Sequence, residues 1–272
     1  MKRTISIALA QSKGSPDPGL NLETARDWTR EAARRGARII VFPEMFMALP
    51  KKETPLSAVA EPLDGPFMTA LSGTANENGL WLAAGVWERI PDSDRVNNVA
   101  VLISPSGELA AAYRKLHLFD GLGIRESDRM APGDAPPEVV RAEGLRIGLS
   151  ICYDLRFPEL YRYLSDLGVD LILAPSAWYA GPLKEDHWLT LLKARAIENT
   201  CYVAGANMSG GPFSARSAVI DPFGVVIADG GESPGLVFAE IDPERIGAVR
   251  EKLPALVHRR FTVPNLKENN GL

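Results

Sequence analysis

Short apolar runs alternate with longer stretches in which apolar residues recur every three or four positions, and this alternation persists almost from one end of the chain to the other. The runs at 4–10, 37–43, 80–89, 97–104, 146–152, 170–174, 201–206, 217–220, 224–228 and 235–240 are predicted as strands. Several are rich in Val and Ile, as buried strands should be. The helical period is clearest over 22–35, where Leu22, Ala25, Trp28 and Ala32 form one apolar stripe. Asn21 is placed to cap that helix and Gly36 to stop it. Further helices are predicted over 66–78, opened by Pro66, over 157–167 with Pro158 in its first turn, and over about 185–199 and 242–252.

"SPSG" at 104–107 and "DPFG" at 221–224 read as hairpin turns between neighbouring strands. Strands that come in pairs between helices, rather than in strict single alternation, predict an α/β fold: a mixed sheet with helices packed on its faces. No low-complexity block, repeat or Pro/Gly/Ser-rich linker interrupts the pattern, so 1–272 is read as one domain with 262–272 as a tail. The one long irregular segment is 116–137, and loops of that length are often functional.

Composition narrows the function classes. A net charge of -4 and basic runs no longer than Arg34-Arg35 or Arg259-Arg260 argue against a nucleic-acid partner. The longest weakly charged apolar stretch, Leu171 to Leu183, is broken by prolines and too short to span a bilayer, so no membrane partner is expected. Met1-Lys2-Arg3 leads straight into a strand-like run, so no secretory leader is expected. Only two cysteines, Cys152 and Cys201, fit a reducing cytoplasm. His117, His187 and His258 are scattered without metal-ligand spacing, and the glycines build no nucleotide fingerprint; neither a metal nor a cofactor is expected.

Three segments carry the candidate chemistry. "LSICYDLRFPEL" delivers Cys152 to the exit of an apolar run, beside Asp154 and Arg156. "ARIIVFPEMF" ends a buried strand on Glu44, a carboxylate among apolar neighbours that is costly to bury without a partner or a task. "AAAYRKLHLFD" sets Lys115 in an apolar segment, with His117 two positions on and on the same face if the segment is extended. Strand ends are where open α/β sheets bind ligands. A thiol attacks as its thiolate and needs a proton acceptor. Glu44 with Lys115 is one candidate set; a Cys152–His117 pair is the other. Asp154 and Arg156 are expected in ion pairs around the cysteine turn, Tyr113, Phe119 and Trp178 in the pocket or the core, and Cys201 in the core.

In order and in separation, "FPEMF", "YRKLHLFD" and "CYDLRFPEL" resemble the Glu, Lys and Cys motifs of the nitrilase superfamily of carbon–nitrogen hydrolases. "IALAQ", "NLETA", "LLKARAIENTCYVAGAN" and "SAVIDPFGVV" extend the resemblance over nearly the whole chain. "CYDLRFPEL" looks like the Nit-type amidase branch, which holds ω-amidases and deaminated glutathione amidases; nitrilases typically carry Trp-Glu after the cysteine. The resemblance implies a four-layer α-β-β-α sandwich, a homodimer or larger homo-oligomer, and no cofactor. It implies Glu44, Lys115 and Cys152 as catalytic residues, with Glu126 of "GIRESDRMAPGD" as a supporting glutamate. The implied reaction hydrolyses a small-molecule amide to a carboxylic acid and ammonia through a cysteine thioester. Lys115 and the Tyr153 N–H would stabilise the oxyanion. Hydrolysis of N-carbamoyl compounds or nitriles by the same residues, and a ligand-binding member of the fold, remain the alternatives. The segment from Lys115 to Glu126 is several residues shorter than in eukaryotic Nit amidases. Arg125, Arg129, Lys184 and Arg195 are the candidate partners for a substrate carboxylate.

Overall fold

A computed structural model describes residues 4–263; the expected tail over 262–272 lies almost wholly outside the described residues. The strands are β1 (Ile5–Gln11), β2 (Ile39–Val41), β3 (Trp81–Arg89), β4 (Val96–Ile103), β5 (Leu109–Arg114), β6 (Asp120–Gly121), β7 (Ile124–Arg125), β8 (Val139–Ala142), β9 (Leu145–Leu149), β10 (Leu171–Ser176), β11 (Tyr202–Asn207), β12 (Ala218–Ile220), β13 (Val226–Asp229) and β14 (Gly235–Ile241). The helices are α1 (Pro18–Arg34), α2 (Pro66–Asn78), α3 (Pro158–Asp166), α4 (Lys184–Asn199) and α5 (Pro243–Lys252).

Twelve strands form two six-stranded mixed sheets, ordered β14-β1-β2-β3-β4-β5 and β13-β12-β11-β10-β9-β8. In each, the middle strands run parallel and the outer pairings are antiparallel. Alternation along each strand decides the layers. In the first sheet Ile7, Leu9, Ile39, Val41, Ala100 and Leu102 face Ile147, Leu149, Leu171 and Leu173 of the second. The residues between them, among them Ala8, Ala10, Ile40, Leu82, Val99 and Val101, pack under Ala25, Ala32, Phe67, Leu71 and Ala75 of α1 and α2. Leu160, Leu164, Trp188, Leu192 and Ala196 of α3 and α4 cover the second sheet. The result is the four-layer α-β-β-α sandwich. Each fully buried Leu or Ile contributes roughly 1.5–3 kcal/mol to holding it together.

The "SPSG" and "DPFG" turns join β4 to β5 and β12 to β13 as antiparallel hairpins. Three expectations need correction. The first helix starts at Pro18, four residues early: Asp17, not Asn21, caps it by accepting from the Gly19 N–H at 2.8 Å. Asn21 is buried within the helix, where its Nδ2 donates to Met47 O at 3.2 Å and ties α1 to the chain just beyond Glu44. Strands β5 to β8 fall outside the predicted runs: "LAAAYR" is rich in helix-favouring alanine, β6 and β7 are two-residue strands paired within the segment read as irregular, and "VVRA" is short. Finally, the strand expected to deliver Cys152 stops at Leu149.

Candidate active site

Glu44 follows β2 in a turn that passes over β3. Gly85 makes that passage possible: its N–H donates to Pro43 O at 3.0 Å and its carbonyl accepts from the Met47 N–H at 3.1 Å. A Cβ at Gly85 would lie 2.5 Å from Glu44 Cα. The Glu44 carboxylate, 1% exposed, is turned inward between the sheets. Its Oε1 accepts from Lys115 Nζ at 2.8 Å and Asn98 Nδ2 at 2.7 Å, and its Oε2 accepts from the Ala177 N–H at 2.8 Å.

Lys115 is the first residue past β5, and its ammonium is fully enclosed. Beyond Glu44 it donates to both Glu126 oxygens, at 3.0 and 2.8 Å. Glu126 also accepts from the Phe119 N–H at 2.7 Å, so one carboxylate fastens the lysine and the base of the β6–β7 hairpin. Burial opposes the charge on Lys115. Glu44, Glu126 and Cys152 outweigh it and hold the ammonium well above the ordinary lysine range. Burial also raises the Glu126 carboxyl, with Lys115 pulling the other way.

Cys152 adopts φ 43°, a left-handed conformation in which a residue with a Cβ is uncommon, and opens a helical turn over Cys152–Arg156. The backbone reverses there and turns the buried thiol toward Glu44, Lys115 and Glu126, the charged groups that act on it most strongly. Burial pushes the Cys152 thiol well above the ordinary cysteine range, Glu44 adds to this through its charge and a hydrogen bond, and Lys115 opposes it. Tyr153, second in the turn, has a backbone N–H at a position where helices leave donors without an intrahelical acceptor. Its ring packs on Phe119 and Phe157 at centroid distances of 4.9 and 5.2 Å.

The expected company of this turn is rearranged. Lys115 and His117 do not share one extended face, because the strand has ended: Lys115 goes inward, while His117 stacks on Phe157 at 3.7 Å with Nδ1 2.7 Å from Asp154 Oδ1. The Cys–His pairing is thus replaced by a His–Asp contact. Asp154, fully buried, accepts at Oδ2 from the Tyr113 hydroxyl and the Ile151 N–H, both at 2.9 Å. It clamps the cysteine turn to the lysine segment. Arg156 makes no ion pair with Asp154; its guanidinium lies 4.9 Å from the Trp178 ring centroid, where a delocalised cation meets an aromatic face.

Of the cations considered for a substrate carboxylate, Arg195 is spent on Leu155 O and Glu198, Arg129 on Thr54 O, and Arg125 pairs with Asp128 on the surface. Lys184 is different. Its Nζ lies 4.6 Å from the Trp178 ring and 5.3 Å from the Phe119 ring, and Cys152 and Arg156 both act on its charge. Burial lowers it from the ordinary lysine range, and Arg156 lowers it further. Phe119 and Trp178 therefore flank the site. Cys201 sits in the core, its thiol pushed up by burial to about 12.

Asn98, Gly85 and the Ala177 N–H escaped the sequence reading. Asn98 left a signal: a carboxamide inside the apolar run "VNNVAVLI" is costly to bury without a bond to make.

The sequence profile described as Carbon-nitrogen hydrolase matches residues 6–251. A protein named deaminated glutathione amidase from Escherichia coli is 38% identical over 248 residues, covering 90% of this chain and 94% of its own. One of the same name from Synechocystis sp. is 39% identical over 274 residues, covering 96% and 100%. Among solved structures, the C. elegans NitFhit protein superposes with a TM-score of 0.90 at 32% identity, over 96% of this chain and 67% of that one. A mutant amidase from Nesterenkonia sp., with the acetamide moiety of fluoroacetamide added covalently at its active site cysteine, gives a TM-score of 0.82 at 28% identity, over 94% of each chain.

Proposed function

We propose that this chain, which belongs to the carbon–nitrogen hydrolase family, cleaves the amide of a small carboxylate-bearing molecule through a thioester on Cys152. It is an amide hydrolase, as its relatives are. The observation that carries the assignment of roles is the meeting of the Glu44 and Glu126 carboxylates, the Lys115 ammonium and the Cys152 thiol in a single buried site.

The geometry supports a role for each residue. With its thiol pushed up, Cys152 rests protonated, so its proton must leave as the sulfur attacks. Glu44 takes that proton while the sulfur bonds to the amide carbon. Lys115 and the Tyr153 N–H receive the charge that develops on the carbonyl oxygen. One such donor is worth roughly 3–4 kcal/mol of barrier. Glu44 then gives the proton to the nitrogen, the carbon–nitrogen bond breaks, and ammonia departs. Water, deprotonated by Glu44, attacks the thioester; its proton returns to the cysteine sulfur and the carboxylic acid is released. Glu126 keeps Lys115 in place throughout.

Among the described residues Lys184 and Arg156 beside it make no ion pair with a carboxylate, and these cations suit an anionic group at the far end of the substrate. Amides of keto acids and deaminated glutathione have that form. The chain acts as one catalytic domain in the reducing cytoplasm, where Cys152 and Cys201 remain thiols. It works as a homodimer or larger homo-oligomer; exposed Ile197 abuts the exposed Phe223–Val225 turn, an apolar face suited to a second copy.

Ammonia release tests the reading. The panel is α-ketoglutaramate, deaminated glutathione, a simple aliphatic amide, an N-carbamoyl amino acid and an aliphatic nitrile, with Cys152→Ala as control. Cysteine-dependent release from a carboxylate-bearing amide is expected. Release from the carbamoyl compound or the nitrile alone would overturn the substrate class, and undiminished release by Cys152→Ala would overturn the nucleophile.

A further inference from the structure

Three consecutive residues at the start of β4 organise the site from behind. Val96 exchanges backbone bonds with Arg129 and Ala131, at 3.2 and 2.9 Å, and Asn97 Nδ2 donates to Ala131 O at 3.2 Å. These bonds fix the segment that follows Glu126. Asn98 then holds two elements at once: its carbonyl accepts from the Lys115 N–H at 2.9 Å, and its Nδ2 donates to Glu44 Oε1 at 2.7 Å. The orientation of the carboxamide follows from its partner, since a carboxylate only accepts.

Asn98 is 1% exposed, and its Oδ1 has no hydrogen-bond partner among the described residues. A buried polar atom left without a bond destabilises the fold, since its hydration is lost and nothing replaces it. A residue chosen for stability alone would not carry that cost on the inner part of an apolar strand. The side-chain bond it makes is to Glu44. That bond has a consequence for proton transfer, because each carboxylate oxygen accepts about two hydrogen bonds. Oε1 already receives two donors, Asn98 and Lys115, whereas Oε2 receives one, from Ala177.

We propose that Asn98 is a positioning residue for the base: by filling Oε1 it fixes the plane of the Glu44 carboxylate and leaves Oε2 as the oxygen that takes the Cys152 proton. The inference rests on Glu44 being the base, and its test separates the two claims.

Steady-state ammonia release is measured for wild type, Asn98→Ala, Asn98→Asp, Glu44→Gln and the Glu44→Gln/Asn98→Ala double variant, with thermal melts alongside. Asn98→Ala is expected to lower kcat about 10–100-fold, the scale of a misplaced catalytic group, with KM within about threefold. Asn98→Asp keeps the shape of the side chain and is assayed across a pH series: its neutral form can still donate to Glu44 and its ionised form cannot, so kcat should fall as it ionises, further than in wild type. The double variant should be no slower than Glu44→Gln, because a residue acting through Glu44 has nothing left to position. Wild-type kcat in Asn98→Asp throughout the pH series, a rise in KM matching the fall in kcat, or a double variant slower by the full single effect would each overturn the proposal. Should Asn98→Ala fail to fold, the isosteric Asn98→Asp carries the test. High activity in Glu44→Gln would instead overturn the base.

Discussion

His117 Nδ1 lies 2.7 Å from Asp154 Oδ1, so the one histidine in the lysine segment serves the cysteine turn through an aspartate. His117→Ala should therefore keep turnover within about tenfold of wild type, whereas Glu44→Gln should lose about 10²–10⁴-fold, the usual range for a general acid–base group. Asp154→Ala should destabilise the fold by about 1–3 kcal/mol for each buried donor it strands, the Tyr113 hydroxyl and the Ile151 N–H. Ammonia assays and urea unfolding check the set. A His117→Ala loss equal to that of Glu44→Gln would restore the Cys–His scheme.

Gly85 supports Glu44 by its lack of a side chain. In Gly85→Ala the new methyl would meet the backbone of Glu44 and Met45, atoms that cannot rotate away. The expected cost is about 1–3 kcal/mol of stability, the usual scale of overpacking. Activity should fall further than stability, since the displaced segment carries the carboxylate. Paired measurements of kcat and urea midpoint would show the disparity; equal, small effects would mean that the turn gives way harmlessly.

Titration of the Cys152 thiol should read its electrostatic setting. Burial, then Glu44, raises it, and Lys115 lowers it. The wild-type thiolate should appear only well above the ordinary cysteine range. Glu44→Gln removes a negative charge that disfavours the thiolate, so its titration should move to lower pH even as turnover is lost. Thiolate absorbance against a Cys152→Ala reference follows both. A shift to higher pH in Glu44→Gln would contradict the arrangement.

Lys184 should matter for some substrates and not for others. Lys184→Met is expected to lower kcat/KM for α-ketoglutaramate by roughly 10–100-fold, as for loss of a hydrogen bond to a charged group. A neutral aliphatic amide should be affected less than threefold. Equal losses on both would assign the Lys184 side chain to the fold, through its ammonium against the Trp178 and Phe119 rings, rather than to recognition.

The linear sequence by itself marked out strands, helices and the candidate residues Glu44, Lys115 and Cys152, because these are local patterns; the four layers came only as what the resemblance implied. Period-two apolar runs such as "ISIALAQ" assign an inner and an outer face wherever they fold, and helix 66–78 is bounded by Pro66 and Gly79. Glu44 and Lys115 stood out because a charge within an apolar segment demands a partner. Their partner could not be read there: they are 71 positions apart and meet only because β2 and β5 lie in one sheet and both chains turn inward where those strands end. Nor could the pairings of Asn98 with Glu44, Asp154 with His117, or Lys184 with Trp178 and Phe119 be read there. Asn98 reaches Glu44 within the first sheet and Lys184 lies six positions from Trp178, whereas Asp154 against His117 and Phe119 against Lys184 join segments that leave strands of opposite sheets. Tertiary structure alone also decided the left-handed turn at Cys152, since a residue with a Cβ adopts that conformation when the surrounding bonds, here those of Asp154, hold it there.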